Sequence, residues 1–149
     1  MFVWQVIRGI IYTWNQKTMD NNSNLKKNKF LSVIVPAYKQ EKTIKKDLEN
    51  IINILDQGLV NSDFEVICVV DGVLDKTYKE AKKVKTDKLK VYEYKINQGK
   101  GYAVRFGMSK AKGDLISFLD AGMDISPKGI MMLMAHMDWY SADIIVGSK

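Results

Sequence analysis

Leu115-Ile-Ser-Phe-Leu119 runs without a charge straight into Asp120. A short apolar run that ends in a carboxylate is the pattern of a strand buried in an open α/β sheet. Such a strand delivers its terminal acid to the carboxyl edge of the sheet, in the crevice where ligands bind. A second acid follows at Asp124, and then Ser126-Pro127, a pair suited to opening a helix. This stretch restricts the chain to folds with a parallel strand edge. It reads as the phosphate or metal corner of a ligand site.

The residues on either side agree with that restriction. Phe30-Leu-Ser-Val-Ile-Val-Pro36 predicts a strand stopped by its proline, and 41–56 a helix with Ile44, Leu48, Ile51, Ile52 and Leu55 on one face. Phe64-Glu-Val-Ile-Cys-Val-Val70 is nearly continuous in apolar residues, as a parallel strand covered on both faces should be. A lysine-rich helix is expected over about 75–85, a strand over Leu89–Tyr94, and a glycine loop at 97–101 opening a helix to about Ala111. Ser126 and Pro127 then supply an N-cap and first-turn proline for a helix carrying Ile130, Leu133, Met134 and Met137, and Asp143–Gly147 begins one more strand. Strands alternating with helices in this way predict a three-layer α/β fold around a mainly parallel open sheet. Right-handed crossovers place the strand ends at 36–38, 70–72 and 120 along one edge.

The first 29 residues stand apart from this domain. Residues 1–14 (MFVWQVIRGIIYTW) are apolar but shorter than the roughly 20 residues a spanning helix needs. Three readings stay open for them: an amphipathic helix lying on a membrane surface, a terminal helix docked on its own domain, or translated upstream sequence before a start at Met19. Residues 15–29 are polar and read as a linker, so the domain spans 30–149. Residues 76–90 hold seven lysines against Glu80 and Asp87, and the chain carries a net charge of +6. A solvated basic surface is the default reading, and no nucleic-acid motif or aromatic platform accompanies it. Cys68, the one cysteine, sits among Val66, Ile67, Val69 and Val70 and is read as a buried strand residue.

Several residues at the strand edge can carry chemistry. Asp71-Gly72 closes a strand with a carboxylate and a flexible turn, which suits a base or ribose and equally suits a plain turn. In Asn97-Gln-Gly-Lys-Gly101 two glycines allow close backbone approach, Lys100 adds a cation, and a helix N-terminus follows. A Walker loop is absent. Gly99-x-Gly101 with Asp120 downstream partly matches a dinucleotide fingerprint, but position 104 is Val and the motif follows the third strand rather than the first. Asp120 and Asp124 can ligate one divalent cation, Mg or Mn, which takes oxygen ligands and completes its shell with water and diphosphate. Asp124 can instead serve the helix N-terminus that follows. His136 stands alone and reads as a surface or packing residue.

Taken in order, Val33-Ile-Val-Pro-Ala-Tyr38, Val70-Asp71-Gly72 with Asp75, Asn97-Gln-Gly-Lys-Gly101 leading to Ala103-Val-Arg105, Lys112-Gly-Asp114 and Phe118-Leu-Asp-Ala121 resemble the family 2 glycosyltransferases. In look they are nearest the dolichyl- or polyprenyl-phosphate sugar transferase branch. The resemblance spans about 31–149. It implies a Rossmann-like GT-A domain that binds a nucleoside-diphosphate sugar, with an inverting transfer to a polyprenyl phosphate or a glycan acceptor. Pro36, Ala37 and Tyr38 fall where that family lines its nucleoside pocket, and Glu41 beside its acidic loop position. Asp71 falls on an acid expected to touch base or ribose, Gly99 and Lys100 on the loop near the nucleotide, and Asp120 on the first acid of the metal motif. The implied location is cytoplasmic, at the inner face of the plasma membrane for a lipid acceptor.

Three departures qualify that implication. Val70 replaces the first acid of Asp-Asp-Gly, Gln40 stands where an acid is common, and Gly122 replaces the second acid of Asp-Ala-Asp. The expectation is that Asp124 partly restores the carboxylate lost at 122. Gly147-Ser148-Lys149 looks like the family's Gly-Ser-Arg, after which acceptor-side and catalytic residues are expected. The chain is therefore read as a donor-binding N-terminal portion, its catalytic residues beyond 149. The competing readings are a non-catalytic nucleotide-binding or interaction module of the same fold and a dinucleotide-dependent oxidoreductase.

Overall fold

Every residue of Phe64–Asp71 is buried, which is what an apolar run with only one interior acid achieves when both faces of its strand are covered. The computed structural model describes residues 4–8 as a strand, together with 29–59, 62–122 and 125–147. Its strands are β1 (Trp4–Arg8), β2 (Leu31–Ala37), β3 (Phe64–Asp71), β4 (Leu89–Tyr94), β5 (Leu115–Phe118) and β6 (Ile144–Gly147). Its helices are α1 (Ile44–Gly58), α2 (Thr77–Ala81), α3 (Lys100–Lys110) and α4 (Gly129–Trp139). The sheet order is β4-β3-β2-β5-β1-β6. β2 pairs in parallel with β3 and with β5, and β3 with β4. The α/β, mainly parallel sheet expected from the pattern is the one observed.

Alternation along β2 divides the core into two layers. Leu31, Val33 and Val35 pack with Ile44, Leu48, Ile51 and Leu55 of α1 and with Ile130, Leu133 and Met137 of α4 on one face of the sheet. Ile34 on the other face packs with Ile67, Val69 and Ala103, under α3. Each fully buried Leu, Ile or Val contributes roughly 1.5–3 kcal/mol, so the sheet is held from both sides. α3 approaches closely because Gly107 has no side chain: a Cβ there would lie 2.4 Å from Ile34 Cγ2.

Three local expectations change. The lysine-rich helix shortens to Thr77–Ala81, because Lys83 and Val84 turn back to the carbonyls of Glu80 and Ala81 three residues earlier and buried residues are only Thr77 and Ala81. Three of its neighbouring lysines are in ion pairs, Lys83 with Glu80, Lys88 with Asp56 and Lys90 with Glu65. Ser126-Pro127 forms a turn ahead of α4, which starts at Gly129 with Gly129 N–H donating to the Ser126 carbonyl at 3.0 Å.

The third change concerns the N-terminal segment. Of the readings open for 1–14, the two helical ones are replaced at Trp4–Arg8 by a strand, antiparallel to β5 on one side and to β6 on the other. The crossover from β5 through α4 leaves a gap of one strand between β5 and β6, and two open ladders there give this backbone hydrogen bonds on both sides. That overrides a short apolar pattern which fits either helix or strand. With 4–8 inside the sheet, the membrane-surface helix is corrected at these positions. Residues 1–3 and 9–14 lie outside the described residues.

Candidate functional site

The carboxyl ends of β2, β3 and β5 and the N-terminus of α3 enclose a cleft of about 570 Å³. Parallel pairing in register brings Ala37 level with Val70, so the chain leaves β2 and β3 side by side. Pro36, Ala37 and Tyr38 form one wall of the cleft and Asp71 its floor. Past β5, Leu119 N–H still donates to the Ile34 carbonyl at 2.9 Å. That last rung fixes the height at which the next residue, Asp120, leaves the sheet and enters the cleft wall. Gly99, with φ 86°, turns the chain into α3, and Lys100 lines the cleft from the first residue of that helix.

Asp71 is 3 % exposed and heavily engaged. Its Oδ1 accepts from the Tyr94 phenol and from Gln98 N–H, both at 2.8 Å, and its Oδ2 accepts from the Asn97 amide at 2.9 Å. The same amide reaches the Asp71 carbonyl at 3.2 Å. A carboxylate has about four acceptor positions, and these bonds take three of them. Burial, and then the bond to Asp71, pushes the Tyr94 phenol above its usual value. Gly72 permits the closeness of the two loops: its φ is 91°, and a Cβ would sit 3.0 Å from Asn97 N.

Lys100 Nζ lies 2.6 Å from Asp120 Oδ1 and 2.8 Å from Oδ2. Gln40 also lines the cleft, and its Oε1 is buried without a hydrogen-bond partner among the described residues. The motif marks Gln40 only as a departure, whereas the fold brings it to the cleft lining.

Glu41 is not among the residues that line the cleft. Its carboxylate accepts from Lys76 N–H at 3.0 Å and its own N–H donates to Asp75 at 3.3 Å, so it clasps the two loops that follow β2 and β3. Asp124 lies outside the described residues, as does Met123. Among the described residues no group of three or more His, Cys, Asp or Glu could hold a metal. Among the described cleft residues Asp71 and Asp120 carry carboxylates, the second paired with Lys100, and Mg or Mn can be held by one or two carboxylates plus substrate phosphates. His136 is half-buried against Trp139 and Tyr140, far from this chemistry in role. Cys68 is fully buried, and burial pushes its thiol up to about 12.

Residues 32–149 match the model of the family described as glycosyl transferase family 2. The chain is 36% identical over 131 residues to the dolichyl-phosphate beta-glucosyltransferase of Drosophila melanogaster, covering 80% of this chain and 40% of that protein. It is 32% identical over 124 residues to the undecaprenyl-phosphate 4-deoxy-4-formamido-L-arabinose transferase of Aeromonas hydrophila, covering 80% of this chain and 36% of that one. Among solved structures it is similar to the mannosyltransferase PcManGT of Pyrobaculum calidifontis, in complex with GDP-Man and Mn2+. That likeness has a TM-score of 0.54 at 24% identity and covers 71% of this chain and 31% of that one. The chain thus spans about two fifths of the length of the first relative it matches. No helix among the described residues is long and apolar enough to cross a membrane.

Proposed function

The chain belongs to glycosyl transferase family 2, and we propose that its cleft holds the nucleoside-diphosphate sugar from which a longer protein transfers the sugar to a polyprenyl phosphate. The observation that carries this reading is convergence. Four stretches separated in sequence bring Tyr38, Asp71, Lys100 and Asp120 onto one cleft at the carboxyl edge of a parallel sheet, where α/β folds bind nucleotides.

Each group has a role in that reading. Gln40, on the cleft lining, stands on the nucleoside side, and Tyr38, half exposed on the rim, covers the nucleoside. Asp71, on the cleft floor, stands toward base or ribose. Lys100 and the first turn of α3 face the diphosphate, where positive charge stabilises the departing group. Asp120, joined by Asp124, would ligate a divalent cation, Mg or Mn, which when bound neutralises charge building on the diphosphate. Transfer forms a bond from the acceptor oxygen to the anomeric carbon and breaks that carbon's bond to the diphosphate, which leaves with the electron pair. A phosphate acceptor is already anionic, so it needs no strong base. The beta designation of the Drosophila relative supports inversion from an α-linked donor. Polyprenyl phosphates in the names of both relatives support the acceptor class and a place at a membrane surface.

Calorimetric titration of UDP, GDP and their sugars, with and without Mn2+, tests the reading. Binding of a nucleoside diphosphate in preference to NAD is expected. Absence of any nucleotide binding would overturn it. Gly122, which offers no side chain to a cation, favours a second reading in which the domain binds nucleotide and has lost transfer. Nucleotide binding that is indifferent to Mn2+ would support that one.

A further inference from the structure

β2, β3 and β4 run parallel and leave the sheet at one level, Ala37 beside Val70 and Asp71 beside Tyr94. The loops that follow them are tied side by side. Gln40 N–H donates to Thr77 Oγ1 at 2.8 Å and Lys76 N–H to the Glu41 carboxylate at 3.0 Å. Val73 N–H reaches the Lys95 carbonyl at 3.4 Å. The result is a continuous rim beside the cleft, whose lining includes Tyr38. That rim is apolar where surface loops are usually polar: Val73, Leu74 and Ile96 are each more than half exposed. The same loops carry Lys39, Lys42, Lys76 and Lys95, all exposed, against the acids Glu41 and Asp75. Both acids are engaged by backbone N–H groups, Glu41 by Lys76 and Asp75 by Glu41 and Thr77. None of the four lysines forms an ion pair with another described residue. Lys39 holds φ at 51°, a left-handed turn uncommon for a lysine, and its ammonium stands 5.3 Å from the centre of the Tyr38 ring.

We propose that this rim docks on an anionic lipid bilayer, with Leu74 and Ile96 set into the headgroup region and the lysines against lipid phosphates. Apolar tips gain by leaving water, and each lysine near an anionic leaflet adds attraction. Lysine stems are long enough to keep the ammonium at the headgroups beside the inserted tips. A second exposed apolar area among the described residues lies on α4 and β6, with Trp139 and Ile144. Acids flank that one, Asp138 and Asp143, and its neighbour Lys29 is paired with Asp138. An anionic surface therefore fits the cleft rim and not the α4–β6 patch. On the donor-cleft reading, on which this use of the rim rests, the acceptor's phosphate lies at headgroup height, and docking brings the cleft edge to it.

Co-sedimentation of the full chain with phosphatidylcholine vesicles, with and without phosphatidylglycerol and in the absence of nucleotide, tests this. Wild type should bind the vesicles that contain phosphatidylglycerol and leave the others in suspension without it. Lys76→Gln combined with Lys95→Gln should lower the partition about fivefold for each lysine removed. Leu74→Asp combined with Ile96→Asp should lower it at least as far, since each acid withdraws an apolar tip and repels the lipid. Trp139→Ser should leave it unchanged. None of the substituted rim residues lines the cleft, so these variants should keep their circular dichroism and their nucleoside diphosphate affinity. Wild type that binds neither kind of vesicle would overturn the docking. So would a loss confined to the lysine pair, which any soluble polyanion would show, or an equal loss in Trp139→Ser. Vesicle binding without nucleoside diphosphate binding would sink the donor reading and leave the docking in place, and the reverse would sink the docking alone.

Discussion

The Tyr94 phenol donates to Asp71 Oδ1 at 2.8 Å, from the end of β4 to the end of β3. Through that bond and those from Asn97 and Gln98, the acid on the cleft floor anchors the glycine loop that leads into α3. Tyr94 is absent from the cleft lining, yet it helps hold in place the residues that are there.

Tyr94→Phe should therefore act at a distance. Loss of one buried hydrogen bond costs about 1 kcal/mol of stability, measurable by urea unfolding. Nucleoside diphosphate affinity should fall several-fold, because the loop carrying Gly99 and Lys100 loses part of its anchor. If Asp71 served only as a direct ligand contact, calorimetry would show the affinity unchanged.

Glu65 supplies the pH dependence. It is 4 % exposed within β3, with Ser32 at 2.8 Å, Lys90 at 2.6 Å and Lys112 N–H at 2.8 Å. Burial by itself would raise its pKa, but the bonds from Lys90, Ser32 and Lys112 outweigh that and hold it below the ordinary 4.5. As pH falls the unfolded chain takes up this proton first. The stabilisation is complete above about pH 4.5 and is lost as pH drops through the lowered folded value. Glu65→Gln should cost about 2 kcal/mol at neutral pH and flatten the acid limb of a stability–pH profile. An unchanged acid limb would mean that other carboxylates govern it.

Gln40 tests the nucleoside side of the cleft. Its Oε1 has no partner among the described residues, so Gln40→Ala removes an acceptor at little cost to the fold, within about 0.5 kcal/mol. Affinity for nucleoside diphosphate should fall about tenfold if Oε1 meets a base N–H, the value of one hydrogen bond in a desolvated site. Affinity for inorganic diphosphate should stay the same. An equal fall for both would place the effect outside base recognition.

Much of the architecture was legible because it rests on local periodicity. Ile44, Leu48, Ile51, Ile52 and Leu55 repeat at helical spacing, and all five are buried in α1. The unbroken run in β3 required cover on both faces, and parallel strands then required crossovers that bring their ends to one edge. Pro36, Ala37, Asp71, Lys100 and Asp120 reach the cleft for that reason. Trp4–Arg8 was not legible, because five residues fit either helix or strand until two neighbouring ladders select one. The motif alone places Glu41 at the cleft, whereas its carboxylate accepts from Lys76 N–H, 35 residues away.

What the amino-acid order determined by itself was which segments bury their faces and which residues stand at strand ends. Those follow from spacing along the chain, at period 2 or 3.6. Tertiary structure alone decided what each charged group faces. Asp71 turns to Tyr94, Asn97 and Gln98, and Asp120 turns to Lys100 at a separation of 20 residues. The strength and direction of a hydrogen bond or ion pair depend on distances of a few ångströms in space, and spacing in sequence carries no information about those until the sheet has brought its edge together.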